Sequence, residues 1–179
     1  MSNGDSMTKF VLYKAGRFFP TKEYEAFSRI LNRKEIVTID MLLCEALFEK
    51  APFRTEGDDD SISSYALLMF KSLSPNEQII AYCKNPYESH KNHSLNNDFE
   101  FCGYDLSDEM TTISTITNCG GMFDKAISYD ELNRFGLIDE YKSAFRIRDL
   151  LNQLYPDDDH ACCEVYELWR RALKPGSPL

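Results

Sequence analysis

Apolar residues recur along this chain with two different periods, and the switches between them mark out the elements. A short apolar run at 10–13, closed by Gly16, has the length and turn signal of a first strand. Pro20 and Thr21 then offer a helix start, and Tyr24, Phe27, Ile30 and Leu31 fall at i, i+3, i+6 and i+7, on one face of a helix over 22–33. Thr38 is placed to cap a second helix over 39–50. Its Met41, Leu42, Leu43, Ala46, Leu47 and Phe48 cover most of the circumference, as in a largely buried helix, and Pro52 stops it. The run at 62–73 satisfies helix and strand alike, because periodicity does not separate short apolar runs.

From residue 79 onward the period of two dominates. The run at 79–83, after the turn signal Ser74-Pro75-Asn76, reads as a strand. Phe99, Phe101 and Gly103 alternate with Glu100, Cys102 and Tyr104 in a further strand ending at Leu106, and 111–117 is rich in β-branched residues. These two are expected to pair as a hairpin around Ser107, Asp108 and Glu109. Ser128 and Glu131 have capping-box spacing and Gly136-Leu137 has the look of a helix end, which predicts a short helix between them. Asp139 can open the next helix, with Tyr141, Ala144, Phe145, Arg148, Leu151 and Tyr155 as its stripe, Ile147, Leu150 and Leu154 widening it, and Pro156 as its stop. The last apolar segment, 161–173, fits a helix through Cys162, Val165, Trp169 and Ala172, or a strand through Ala161, Cys163, Val165 and Trp169; we read its first eight or nine residues as strand. Together these elements predict a single α+β domain: a mostly antiparallel sheet of about five strands with helices packed on one side. Residues 1–6 read as a flexible N-terminal tail, 7–174 as the domain and 175–179 as a C-terminal tail.

Three polar stretches interrupt the pattern: 55–64 with Asp58, Asp59 and Asp60, 85–98 with two His and four Asn, and 156–160 with Asp157, Asp158 and Asp159. Each has the length of a surface loop within one domain. With 179 residues, 43% of them hydrophobic, and 12 Phe and 10 Tyr, the chain can bury a core, which excludes whole-chain disorder. Twenty Lys and Arg against 29 Asp and Glu leave a net charge of −9. That balance argues against direct binding to a nucleic-acid backbone and fits a basic protein partner. The opening residues lack the basic and apolar regions of a signal peptide, and no window approaches a membrane span, so a cytoplasmic protein without membrane contact is expected. Six cysteines, Cys44, Cys83, Cys102, Cys119, Cys162 and Cys163, lie among apolar neighbours with no C-x-x-C. Reduced, mostly buried thiols are the expectation, with neither a metal nor a cofactor.

Four features bear on chemistry. In Asn118-Cys119-Gly120-Gly121, the glycines can free backbone N–H groups beside a thiol, and a Cys119/His160 dyad oriented by Asp105 or Asp158 would make a cysteine-dependent hydrolase or transferase. The plainer reading is that the glycines turn the chain and Cys119 packs. His90 and His93 have a metal-like gap, but a site needs three or four ligands and only Glu88 and Asp98 lie near, so a solvated loop is the reading. Phosphate-binding glycine spacing and a G-x-S-x-G elbow are both missing. The two Asp triplets lack the alternate-residue spacing of a calcium loop. They are either solvated loop charge or a docking surface for a basic partner.

In the C-terminal half, Phe101-Cys-Gly-Tyr-Asp-Leu106, Thr117-Asn-Cys-Gly120, Glu131-Leu-Asn-Arg-Phe-Gly-Leu-Ile138 and His160-Ala-Cys-Cys-Glu-Val165, leading to Trp169-Arg170, form a recognisable texture. It resembles cytoplasmic immunity proteins of bacterial polymorphic toxin systems, including contact-dependent growth inhibition. The resemblance implies an acidic, non-enzymatic single domain that binds one cognate toxin domain, commonly a basic nuclease, and blocks it by occlusion. It carries over no toxin-contact residue; Asp58, Asp59, Asp60, Asp157, Asp158 and Asp159 are candidates on loop charge alone.

Overall fold

The computed structural model describes residues 11–16, 37–39, 53–56, 77–92, 95, 99–108, 113–116, 123, 125–128, 130 and 132–171. Within it, β3 (Glu77–Lys84), β4 (Phe99–Asp108) and β5 (Cys163–Arg171) are antiparallel, with β5 between the other two. On the far side of β3 lies β1 (Val11–Gly16), and β2 (Phe53–Glu56) pairs with β1, both antiparallel. The strand order is β2-β1-β3-β5-β4. One α-helix, α1 (Tyr141–Leu154), is present among the described residues. An antiparallel sheet with a packed helix is the α+β class that the residue pattern predicts. No helix among the described residues is long and apolar enough to cross a membrane.

Most of the stripe predicted for α1 is the face it buries: Ala144, Ile147 and Leu151 are buried, and Tyr141, Phe145 and Leu150 pack beside them, whereas Leu154, in the last turn, is exposed. The N-cap is Glu140 rather than Asp139 and makes no side-chain capping bond. Asp139 instead accepts a hydrogen bond from Asn133 Nδ2 at 2.6 Å, which ties the helix entry to the preceding turn. Tyr155 closes the helix through its N–H to Leu151 O, just before Pro156.

β5 is buried on both faces, which is why its sequence fits two templates: a doubly covered strand loses the polar half of its alternation. Cys163 and Val165 join Tyr104, Leu106 and the buried face of α1, while Tyr166 and Leu168 join Ile80, Tyr82, Val37, Ile39, Phe135 and Leu137. Successive strand residues point to opposite faces, so α1 covers one side of the sheet and irregular segments, 37–39 and 135–137, cover the other. The helices expected over 22–33 and 39–50 fall outside the described residues, Val37, Thr38 and Ile39 excepted. So does the ambiguous run 62–73.

Four expectations need correction. The polar stretch starting at 55 begins inside β2, which takes up Thr55 and Glu56. Among the described residues, the hairpin around 107–109 shows one bridge, Ser107 to Ser114, flanked by Asp108 N–H to Ile113 O and Thr115 N–H to Leu106 O. Its returning arm is diverted because Ser114 Oγ donates to Asp105 at 2.7 Å and Thr115 Oγ1 to His160 O at 2.7 Å, side-chain bonds that compete with a ladder. In place of the end of the short helix expected before Gly136, 132–138 form a turn: Asn133 Oδ1 accepts from the N–H groups of Phe135 and Leu137, and Gly136 has φ +75°. Ile138 then bridges Tyr104 through bonds in both directions, at 2.7 and 3.0 Å. With Ser114, it covers the outer edge of β4.

The fourth correction concerns β4. The register moves from Phe101 opposite Trp169 to Gly103 opposite Leu168, leaving Cys102 as an extra residue. This bulge breaks the simple alternation and brings Phe101 and Tyr104 to one face, their rings 5.3 Å apart. Gly103 makes it possible: its φ is +142°, and a Cβ there would stand 2.6 Å from Leu137 Cβ.

Candidate functional site

The polar stretch after β3 is a strap laid over the sheet. Asn85, with φ 46°, turns the chain out of β3; its N–H donates to Val165 O at 2.7 Å and its Oδ1 accepts from Val165 N–H. The Tyr141 hydroxyl, on the first turn of α1, reaches the carbonyls of Pro86 and Tyr87 at 3.0 and 3.2 Å. A short 3-10 turn, His90–Asn92, follows. The Tyr104 hydroxyl receives the His90 N–H at 3.0 Å and meets His90 Nδ1 at 2.9 Å. The imidazole stacks on Phe101, with centroids 3.5 Å apart and planes 8° from parallel. Lys91 pairs with Glu140 at 3.0 Å. His90 is therefore a structural part of the strap and not the residue of a solvated loop; His93 is outside the described residues.

Beneath the strap lies a carboxylate among aromatics. Glu167, opposite Tyr104 in register, is fully buried and accepts a 2.6 Å hydrogen bond from Trp169 Nε1. Trp169 meets Phe101 edge-on at 5.5 Å, and Tyr104 meets Tyr141 at 5.9 Å. Burial raises the Tyr104 hydroxyl above the ordinary tyrosine value, with the charge of Glu167 adding to it and the His90 N–H opposing. Burial and then Glu167 raise Tyr141 likewise. Both phenols stay protonated through the neutral range and hold the strap as neutral hydrogen-bonding groups.

The second polar region is the turn between α1 and β5. Asp158 is its keystone: its N–H donates to Tyr155 O, its carbonyl accepts from Ala161 and Cys162, and its Oδ1 accepts from His160 N–H at 2.9 Å. Asp157 and Asp159, on either side, are exposed. His160 is half-buried; its carbonyl takes the Thr115 hydroxyl, and its Nδ1 is buried without a hydrogen-bond partner among the described residues. Cys119, the other half of the sequence-derived dyad, lies outside the described residues, as do Asp58, Asp59 and Asp60. Of the two carboxylates considered as orienters, Asp158 is used by the turn backbone, and Asp105 Oδ1 accepts from Leu106 N–H and Ser114 Oγ.

Cys162 and Cys163 diverge as adjacent residues must: Cys162 is exposed and Cys163 is buried. Burial pushes the thiols of Cys163 and Cys102 up from 9.0 to about 12, so neither is a thiolate nucleophile at neutral pH. Among the described residues, no group of three His, Cys, Asp or Glu side chains is arranged to hold a metal ion. Sequence reasoning missed the strap and the buried Glu167. The only signal for the strap was two aromatic positions, Phe101 and Tyr104, which the bulge brings together. The chain matches no family model, no curated protein and no solved structure.

Proposed function

We propose that this chain is an immunity protein of the polymorphic-toxin type. In this reading, one α+β domain, a sheet of about five strands with helices on one side, binds a basic toxin domain, a nuclease, in the cytoplasm and occludes its active site without chemistry of its own. One observation carries the reading: Asp158 spends its hydrogen bonds closing the turn, and Asp157 and Asp159 are thereby left exposed on a defined backbone. Carboxylates presented this way, on a chain of net charge −9, steer a basic partner and speed its encounter. Asp58, Asp59 and Asp60 are proposed to add to the same field.

The test is a pull-down from the source organism's lysate, washed at low and then high salt, followed by co-expression of whatever fragment is recovered. The expected result is one basic fragment, released by salt, that arrests growth alone and is neutralised by this chain. A recovered fragment that is harmless when expressed alone overturns the reading.

A further inference from the structure

Two guanidiniums share one ring on the sheet face opposite α1. Arg170, on β5, alternates in step with Tyr166 and Leu168 and stands opposite Glu100 of β4, to which its Nε–H donates. Its Cζ lies 4.7 Å from the centroid of the buried Phe135 ring, and the Cζ of Arg134 lies 4.4 Å from the same centroid. Glu100 Oε2 stands 3.9 Å from Arg134 Nη2, beyond the roughly 3.2 Å reach of an N–H···O bond. Glu100 is the one ion-pair partner of Arg134 among the described residues, and Arg134 donates no side-chain hydrogen bond to any of them. Asp139, just past the turn, is taken up by Asn133 Nδ2.

An exposed arginine is ordinarily a solvated charge. Arg134, with 67% of its side chain exposed, differs in resting on a ring and in the backbone that carries it. On one side of it in the turn, Asn133 bonds Phe135 and Leu137 through its Oδ1 and Cys102 O, at 2.7 Å, through its Nδ2; on the other, Phe135 is buried. A planar fork of donors held in this way loses little rotamer freedom when an acceptor arrives.

The located charges select the acceptor. Two guanidiniums and one carboxylate leave a single positive charge, which one further carboxylate neutralises while matching the fork with two parallel N–H···O bonds. A phosphate group, with nearly two charges, sets the excess against Glu100. A small carboxylate leaves the exposed pair in water, where it is worth little, whereas a protein segment laid over the turn dries it and strengthens the attraction. The net charge of −9 on the chain repels a segment rich in acidic residues. An Asp or Glu side chain flanked by apolar residues meets all of these conditions.

We propose that Arg134, with Phe135 and Arg170, forms an interaction surface that receives a single Asp or Glu side chain of a partner protein. The surface is independent of the immunity reading, and the rise of β5 sets Arg170 about 23 Å from Cys163, just after the acidic turn. The probe is a capped peptide with one glutamate between two leucines, titrated against the full chain and followed by NMR of the arginine Nε–Hε signals, with the glutamine peptide and inorganic phosphate in parallel. The expected result is a saturable shift at Arg134 and Arg170 with the glutamate peptide, and affinity weakened roughly three- to fivefold in both Arg134→Gln and Arg134→Lys at an unchanged thermal midpoint. Equal binding of the glutamate and glutamine peptides, or equal affinity of wild type and Arg134→Gln, overturns the surface. Full binding by Arg134→Lys, or displacement of the peptide by phosphate at equal concentration, overturns the forked carboxylate contact. The Asp157→Asn/Asp159→Asn pair leaves this titration unchanged; a loss there overturns the separation of the two surfaces.

Discussion

The strap at 85–92 and the turn at 156–160 have similar compositions and opposite constructions. Both are short, polar and next to a strand. The strap is held from outside itself: side chains of Tyr104 and Tyr141, on two other elements, bond its backbone, and Phe101 receives its imidazole. The turn closes mainly on itself, through Asp158 and the carbonyl of Tyr155, with one outside bond from Thr115. Polar composition therefore marks both as loops without revealing which belongs to the sheet. What separates them is whether the neighbouring strand faces carry hydroxyls that reach the loop backbone.

The largest effect expected on this contrast is alkaline. The folded state raises the thiols of Cys102, in the bulge beneath the strap's platform, and Cys163, just after the turn, from 9.0 to about 12 by burial. A raised value favours the protonated thiol in the folded state, so the stability it contributes is fully present below pH 9 and is lost as pH rises toward 12. Each thiol accounts for about 1.4 kcal/mol per pH unit in that window. Denaturant midpoints measured from pH 7 to pH 11 should be level and then fall, with Cys102→Ser and Cys163→Ser each removing part of the slope. A flat profile to pH 11 contradicts the burial of both.

Next comes the bulge. Gly103→Ala sets a Cβ 2.6 Å from that of Leu137 at φ +142° and should cost about 3 kcal/mol of unfolding free energy, measured by denaturant titration. Because the bulge is what aligns Phe101 with Tyr104, this variant should also unlock the strap, read as faster amide exchange at 85–92 with 156–160 unchanged. Tyr104→Phe is smaller, about 1–2 kcal/mol, since it strands the His90 donor but keeps the ring in the core. Asp158→Ala should cost about 1 kcal/mol and act on the turn alone. Asp157→Asn with Asp159→Asn should leave stability within about 0.5 kcal/mol, and should slow association with a basic partner more than it speeds dissociation. A stability loss from that pair would mean the turn needs its outward charges to fold.

How much of this was legible depends on whether an element answers to its own residues or to its neighbours. α1 was read correctly in position and buried face, because Tyr141, Ala144, Leu151 and Pro156 carry a local periodic signal and a stop. β3 was legible from an apolar run of strand length and β4 from its aromatics, whereas the run that becomes β5 fitted a helix equally well. The end of the short helix expected before Gly136 was misread because the Asn133 side chain turns the chain with bonds that no periodicity encodes. Of the arm at 111–117, the described part, 113–116, pairs at Ser114 and then departs from the ladder, because Ser114 and Thr115 bond to Asp105 and His160, the latter 45 residues away. Of the candidate site, the acidic turn was visible as charge. The strap was not, since residues that hold it come from 14 and about 55 positions further along the chain.

By itself, then, the sequence determined the α+β class, the span and face of α1, the strands β3 and β4 and the acidic character of the turn after the helix. Each of these follows from spacing, stop signals or composition within a few residues. The tertiary structure alone decided the strand order, the burial of β5 on both faces, the bulge at Cys102, and the difference between a polar loop locked to the sheet and one presented to solvent. Those outcomes depend on which hydroxyl, carboxylate or ring a distant element brings within hydrogen-bonding or stacking reach, and local pattern carries no record of that.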